Sequence, residues 1–429
     1  MTINLTLFTI YNMKRVLLLL LSSLLCSCGH FSKKTLGNFD WKHVVDKDIA
    51  YMSVDKSDIN NVKVIDCNGD YCATFEGIVD SIVALPLETT NESIIGSISK
   101  LQLTDSLFFI SDLYQTKLIK VFNRKGKYLY NIGSVGNGPF EYIEPTDFVV
   151  FENQVYIIDQ YQNKLLTYNH VGKGIKEYKL PFFCMQIAVI NENCFLFRGA
   201  NSDNYHIKEL LNYSLWICDT LMQVKKHGCY MPHNTYLNLL RNSLKQCNGK
   251  IYFNDIANDS IFSINSKGNM KCEVVFDFDK RRNKVFFKSN KKYIENINSG
   301  NICDISDYLF CDSLLYYSIT TNKKAYRAFY SMRSNRTIWF NCFDIENDKL
   351  TKVHEIVSST PLAFEKGYLI YSTMPASIIR PYDHFGGSRG LCDISKKTEY
   401  KYVKEEISLL ENLSEEDNPI LIFYKLKQW

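Results

Sequence analysis

Two stretches in the middle of the chain set apolar and polar positions in the same order. "LFFISDLYQTKLIKVFNRKGKYLYNIG" (107–133) and "QVYIIDQYQNKLLTYNHVGKGIKEYKL" (154–180) each read as an apolar strand ending in Asp, a few polar residues, Lys-Leu, an alternating strand, a Gly turn and another strand. Asp112 and Asp159 stand 47 residues apart, a propeller-blade period. A third copy, "KIYFNDIANDSIFSINSKGNMKCEVVFDF" (250–278), puts Asp255 96 residues beyond Asp159, about two periods on. Looser copies begin at Cys194, Leu314 and Tyr368, so six copies are expected. Each predicts short strands with period-two alternation, separated by turns at Asn-Gly, Lys-Gly or Ser-Lys-Gly. One such sheet cannot cover its own apolar faces, so the expected fold is all-β, the copies closing into a six-bladed β-propeller.

Two segments interrupt the pattern. "KSNKKYIENINSG" (288–300) reads as a short helix or loop insertion, and "KYVKEEISLLENLSEEDNP" (401–419) as a short C-terminal helix with Ile407, Leu410 and Leu413 on one face and Asn418-Pro419 as its stop. The final run, "ILIFYKLK", predicts a closing strand that joins a blade at the seam of the ring. The Gly-rich "VGNGPFEY" (135–142) lacks the Lys-Ser/Thr of a phosphate-binding loop and runs into strand, turn and strand, so it reads as a blade junction. There Gly136 and Gly138 permit a tight turn, Pro139 fixes φ, and Glu141 can accept backbone N–H bonds.

Composition agrees with the pattern. Of 429 residues 46% are hydrophobic and 14% aromatic, with 28 Tyr and 27 Phe against 9 Pro, a balance that suits half-buried pleated surfaces. Lys plus Arg (50) nearly balances Asp plus Glu (46), which leaves no global field to recruit nucleic acid. No cofactor is expected.

The N-terminus changes the picture more. "MKRVLLLLLSSLLCSCGH" (13–30) has a basic start at Lys14 and Arg15 and an apolar run from Val16 to Leu25, the order of a secretory signal. That run is too short for a membrane span of roughly 20 residues. Leu25, Cys26 and Ser27 ahead of Cys28 resemble the lipobox of bacterial lipoproteins. The resemblance implies lipidation at Cys28, which becomes the first mature residue, and a membrane partner through that lipid. The residues ahead of Met13 fit no signal pattern, so translation is expected to start there. The expected organisation is a signal over 1–27, a lipidated tether over 28–60 and the propeller over 61–429. "GHFSKKT" after Cys28 has no acidic residue and leaves the facing leaflet open.

The repeats resemble the NHL type and, more closely, a family of six-bladed β-propeller lipoproteins of Bacteroidetes. "IVALPLETTNESIIGSISKL", "GNGPFEY" and "LLENLSEEDNPILIFYKLK" are similar to that family's opening blade, its Gly-x-Gly-Pro-Gly-Glu-Tyr loop and its Asn-Pro terminus. Phe140 stands where the family usually has Gly, which costs strain if the position needs positive φ. The resemblance implies a location in the cell envelope, at the outer membrane, and leaves the ligand open because propellers host many functions.

Several constellations are candidates for chemistry. "IRPYDHFGGSRG" (379–390) gathers Arg380, Asp383, His384 and Arg389 around two glycines, a set fit to hold a carboxylate or sulfate, or alternatively a self-satisfied hairpin loop. Lys280, Arg281, Arg282 and Lys284, with Phe286 and Phe287 just beyond, form a candidate polyanion patch or a solvated loop. "HGCYMPH" brings His227, Cys229 and His233 together without the spacing of a standard zinc site. Asp112, Asp159 and Asp255 either line a calcium site or, as their repeated place favours, make turn bonds. "CNGDYC" brackets the hairpin signal Asn68-Gly69 with Cys67 and Cys72 at a spacing open to a disulfide, and the chain has no C-x-x-C pair. Asp-Ser/Thr-aliphatic triplets, as at Asp80 and Asp105, look like the O-glycosylation triplet of Bacteroidetes secreted proteins. The chain has no Gly-x-Ser-x-Gly elbow, sialidase box or Trp-Asp signature. The leading expectation is a lipid-anchored envelope propeller that binds a glycan, peptide or partner protein. The alternative is a propeller lyase or hydrolase acting on a sugar or lactone through a channel loop.

Overall fold

Residues 108–112 and 155–159 are buried without a break, on both faces of their strands. A sheet that is apolar on both faces must lie between two neighbours, and that requirement builds the ring. The structure, a computed structural model, describes residues 36, 38–55, 62–67, 72–73, 75–199, 204–230, 243–247, 249–255, 259–277, 304–320, 324–344, 360–376 and 412–427.

Five strands open the described chain: β1 (Val45–Tyr51), β2 (Val54–Asp55), β3 (Lys63–Asp66), β4 (Cys72–Ala73) and β5 (Val79–Pro86). Blade 1 follows as β6 (Lys100–Leu103), β7 (Leu107–Asp112), β8 (Leu118–Asn123) and β9 (Tyr128–Ile132). A two-residue ladder, β10 (Ser134–Val135) with β11 (Glu141–Tyr142), leads to blade 2: β12 (Asp147–Phe151), β13 (Gln154–Asp159), β14 (Lys164–Asn169) and β15 (Gly174–Lys179). Blade 3 is β16 (Gln186–Asn191), β17 (Cys194–Arg198), β18 (Tyr213–Asp219) and β19 (Val224–Tyr230). Blade 4 is β20 (Leu244–Cys247), β21 (Lys250–Phe253), β22 (Ser260–Ile264) and β23 (Met270–Asp277). Blade 5 is β24 (Asp304–Cys311), β25 (Leu314–Thr320), β26 (Lys324–Ser331) and β27 (Arg336–Asp344). Blade 6 is closed from both ends of the chain, in the order β28 (Ala363–Glu365), β29 (Tyr368–Thr373), β30 (Ile420–Leu426) and β5.

The protein has no single core. Six apolar clusters occupy the six junctions between blades, for example Val149, Ile158 and Leu165 of blade 2 against Ile187, Phe197 and Trp216 of blade 3. At the seam, Leu101 and Phe108 of blade 1 meet Ile370 and Leu421 of blade 6. The six-bladed all-β expectation stands, and the expected closing strand is the third strand of blade 6. The expected C-terminal helix falls mostly outside the described residues.

Two local expectations differ. Residues 45–55, placed in the tether, form strands: β1 runs parallel to β19, and β2 parallel to β23. The outer edges of these blades carry unpaired backbone groups, and the N-terminal segment covers them. The Asn68-Gly69 signal does not join a hairpin, because β3 pairs with β23 of blade 4 and β4 with β27 of blade 5. Edge pairing with two neighbouring blades outweighs the local turn. The Cys67 thiol meets the Ile65 carbonyl at 3.6 Å, and the Cys72 side chain lies outside those described.

The blade-junction reading of "GNGPFEY" holds in detail. Glu141 Oε2 accepts the Gly138 N–H at 2.7 Å, and a Cβ on Gly136 would overlap this carboxylate. Tyr142 is buried between blades 1 and 2 and donates to the Ile132 carbonyl at 2.6 Å. Phe140 has φ +55, so the position does require the left-handed region and Phe sits there under strain. Its ring packs on Tyr168, whose hydroxyl donates to the Phe140 carbonyl at 2.8 Å, and its N–H donates to Glu177. Phe140→Gly relieves strain while losing packing, and Phe140→Ala loses the packing and keeps the strain. Phe140→Gly is therefore expected to be the more stable by about 1 kcal/mol, which urea denaturation of the two variants measures. The reverse order would show that φ does not limit this site.

Candidate functional site

The direction of the innermost strands decides where the connectors go. Each blade begins its inner strand on the side of the ring where its second strand ends, as in Lys100 opposite Ser111 and Gln186 opposite Arg198. On the opposite side, consecutive strands within a blade are joined by turns of only two to five residues. Every long connector, 87–99, 133–146, 199–212, 231–243, 278–303, 345–362 and 374–419, therefore starts and ends at the other side, which is the loop face.

The strands that flank the two candidate loops end on that face. Arg380, Asp383, His384 and Arg389 belong to the connector between β29 and β30, and Lys280, Arg281, Arg282 and Lys284 to the connector between β23 and β24. Both sets of residues lie outside the described ones, as does Cys28. His227 and Cys229 are described, and they turn apart. The His227 Nδ1–H donates to the Glu209 carbonyl at 2.6 Å, while the Cys229 thiol meets Met270 Sδ at 3.6 Å. His233 lies outside the described residues.

A cavity of about 450 Å³ runs along the ring axis, lined by the inner strands of all six blades and reaching Glu152 and Gly249 in the tight turns of the side opposite the loop face. An inner strand is an edge strand, and its unpaired backbone groups need partners. Side chains of adjacent blades supply them. Gln102 accepts the Val150 N–H at 2.5 Å; Gln246 accepts the Val189 N–H at 2.9 Å and donates to its carbonyl at 2.8 Å. One level of the channel carries Lys100, Asp147, Gln186, Ser243 and Asp307 at equivalent places on successive blades. Lys100 pairs with Asp147 at 2.6 Å, and the second oxygen of Asp147 accepts the Ile187 N–H at 2.9 Å. Gln186 accepts the Ser243 N–H at 3.2 Å, and Lys245 pairs with Asp307 at 3.0 Å. These groups are spent on joining blade to blade. Sequence reading missed them because each inner strand is short and half polar.

Asp112 and Asp159 make the turn bonds expected of the repeat aspartates, and the turn after Asp255 lies outside the described residues. Asp112 accepts N–H bonds from Gly96, Tyr114, Gln115 and Thr116, and Asp159 from Ile143, Tyr161 and Gln162. Burial pushes the Asp112 carboxyl up, but the four backbone donors together hold it below its ordinary value. Asp255 also reaches the neighbouring blade, accepting the Ser214 hydroxyl at 2.8 Å and facing buried Arg198 at 3.8 Å. Among the described residues, no three His, Cys, Asp or Glu side chains gather to hold a metal ion.

A family model described as a domain of unknown function, DUF4934, matches residues 60–425. A crystal structure of a Bacteroides fragilis protein described as exported superposes with a TM-score of 0.64 at 19% identity, covering 86% of this chain and all of that one. A DUF4221 family member from Bacteroides vulgatus matches at 10% identity and a TM-score of 0.45, over 81% of this chain and 97% of the other. Virginiamycin B lyase from Staphylococcus aureus matches at 14% identity and a TM-score of 0.36, over 67% and 80%. No curated protein matches the sequence. At these identities the likeness to the Bacteroides fragilis protein shows the fold alone.

Proposed function

The chain belongs to the DUF4934 family, a domain of unknown function, and we propose that this protein is a lipid-anchored propeller of the bacterial cell envelope that binds a glycan, peptide or partner protein at its loop face. The observation that carries this reading is the segregation of connectors: tight turns on one side of the ring, and the ends of every long connector, those of both candidate loops included, on the other. Recognition residues concentrate on loops held by a rigid scaffold, and here side chains stitch the scaffold across its axis. The description of the Bacteroides fragilis protein as exported supports an envelope location.

The binding reading is tested on Arg380 and Arg389. Two guanidiniums in one loop suit a sulfate or carboxylate, each capable of bidentate contact. The wild-type protein is expected to be retained more strongly on immobilised dextran sulfate than on dextran. Arg380→Ala with Arg389→Ala is expected to abolish that difference while the melting temperature holds, since substitutions away from the core usually cost within about 0.5 kcal/mol. Equal retention of the wild type on both matrices, or joint loss of binding and stability, would count against an anion site in this loop and for a structural corner.

The anchor is tested at Cys28. Growth with a clickable fatty acid should label the wild type, and Cys28→Ala should lose both label and membrane fractionation. Label that persists in the variant defeats the lipid assignment.

A further inference from the structure

We infer that the rim of blade 3 carries a binding site for a neutral pyranose glycan, built from Tyr51, Tyr213, His227 and Tyr230. This rests on the reading of the protein as a binding propeller and names residues other than Arg380 and Arg389. The Tyr213 ring stacks on His227 at 4.0 Å, with Tyr230 edge-on to Tyr213 at 5.5 Å and Tyr51 at 6.1 Å. Tyr51 and Tyr230 remain 51% and 58% exposed.

The backbone is distorted to assemble this cluster. His227 and Tyr230 are three apart on β19, so in a regular strand they would face opposite sides. Cys229 between them adopts φ +56, which breaks the alternation and brings both rings to Tyr213. Asn212, immediately before Tyr213, is also left-handed at φ +67. Non-glycine residues held in this region cost stability and concentrate at functional sites. The fourth ring comes from β1, which reaches β19 because Gly228 has no side chain: a Cβ there would lie 2.8 Å from that of Met52.

The chemistry selects the ligand. A pyranose presents a C–H face to the negative π face of an aromatic ring, and hydroxyls around its margin. The Tyr51 hydroxyl already accepts the Tyr230 backbone N–H, while the Tyr213 and Tyr230 phenols and the His227 Nε2, left as acceptor because Nδ1–H donates to Glu209, are placed to meet those hydroxyls. An alkyl chain would leave them unpaired. A proline-rich peptide needs a slot between aromatic rings, and here the rings close on one another edge to face.

The test is native electrophoresis of the mature chain in gels containing laminarin, yeast mannan or oat xylan. At least one polysaccharide is expected to retard the wild type. Tyr51→Ala with Tyr230→Ala should weaken that retardation by about tenfold or more, since two stacking contacts along one polymer are lost. Tyr51→Phe with Tyr230→Phe, which keeps the rings, should retain most of it, and all variants should melt cooperatively. The inference is overturned by unchanged mobility in all three gels, by undiminished retardation of the double Ala variant, or by retardation in poly-L-proline alone. Retardation lost in Arg380→Ala with Arg389→Ala but kept in the Tyr→Ala pair also overturns this site, while leaving the binding reading in place. Loss in the Tyr→Ala pair beside a negative dextran sulfate result supports it independently of the arginine loop.

Discussion

A chain ending at Pro419 is expected to form aggregates or be degraded and to show no cooperative melt. Strand β30 is interior to blade 6, bonded to β29 on one side and β5 on the other. It buries Ile420, Leu421, Ile422, Tyr424 and Leu426. At roughly 1.5–3 kcal/mol for each large apolar side chain, the loss is comparable to the whole stability of about 5–15 kcal/mol expected of a folded protein. It also leaves two facing strands with open edges, each a template for pairing between chains. Size-exclusion chromatography and a thermal scan of the truncated chain decide the matter. A monomeric, cooperatively melting product would mean that the ring closes without its last strand.

Asp112→Ala is expected to destabilise the protein by about 3–5 kcal/mol, well above the effect of an ordinary surface change. The side chain is fully buried and accepts four backbone N–H bonds, so its removal orphans several donors together. The Gly96 bond also ties the turn between β7 and β8 to the connector from blade 6. Asp112→Asn keeps part of this network and separates charge from shape. The folded carboxyl lies below its ordinary value of 3.8. Its contribution is therefore fully present above that value and is lost as pH falls through the lowered folded value. The gap between wild type and Asp112→Asn in urea unfolding should be widest near neutral pH and shrink below about pH 4. A gap independent of pH would show that the carboxylate's charge contributes nothing.

Several strands were legible because their causes are local. The runs beginning at Leu107, Gln154, Cys194, Lys250, Leu314 and Tyr368 each became the second strand of a blade. They are apolar on both faces and bounded by their own turns, so pattern alone determines blade number and period. The turn role of Asp112 and Asp159 and the junction role of residues 135–142 follow for the same reason. Phe140 was legible as a site of strain because only φ was at issue there.

Tertiary structure decided the rest. The inner strands read weakly because half of each depends on partners in the next blade, as Gln246 depends on Val189. Residues 45–51 look like a tether because their strand partner, beginning at Val224, lies far along the chain. Side-chain type marked Arg380, His384 and Lys280 as candidates, but only the direction of their flanking strands brings the ends of both loops to one face. The cluster around Tyr213 was beyond reach of any pattern. It depends on a left-handed Cys229 and on a strand supplied from the N-terminal segment, and neither the sign of a φ angle nor a contact so distant in sequence is written in residue type.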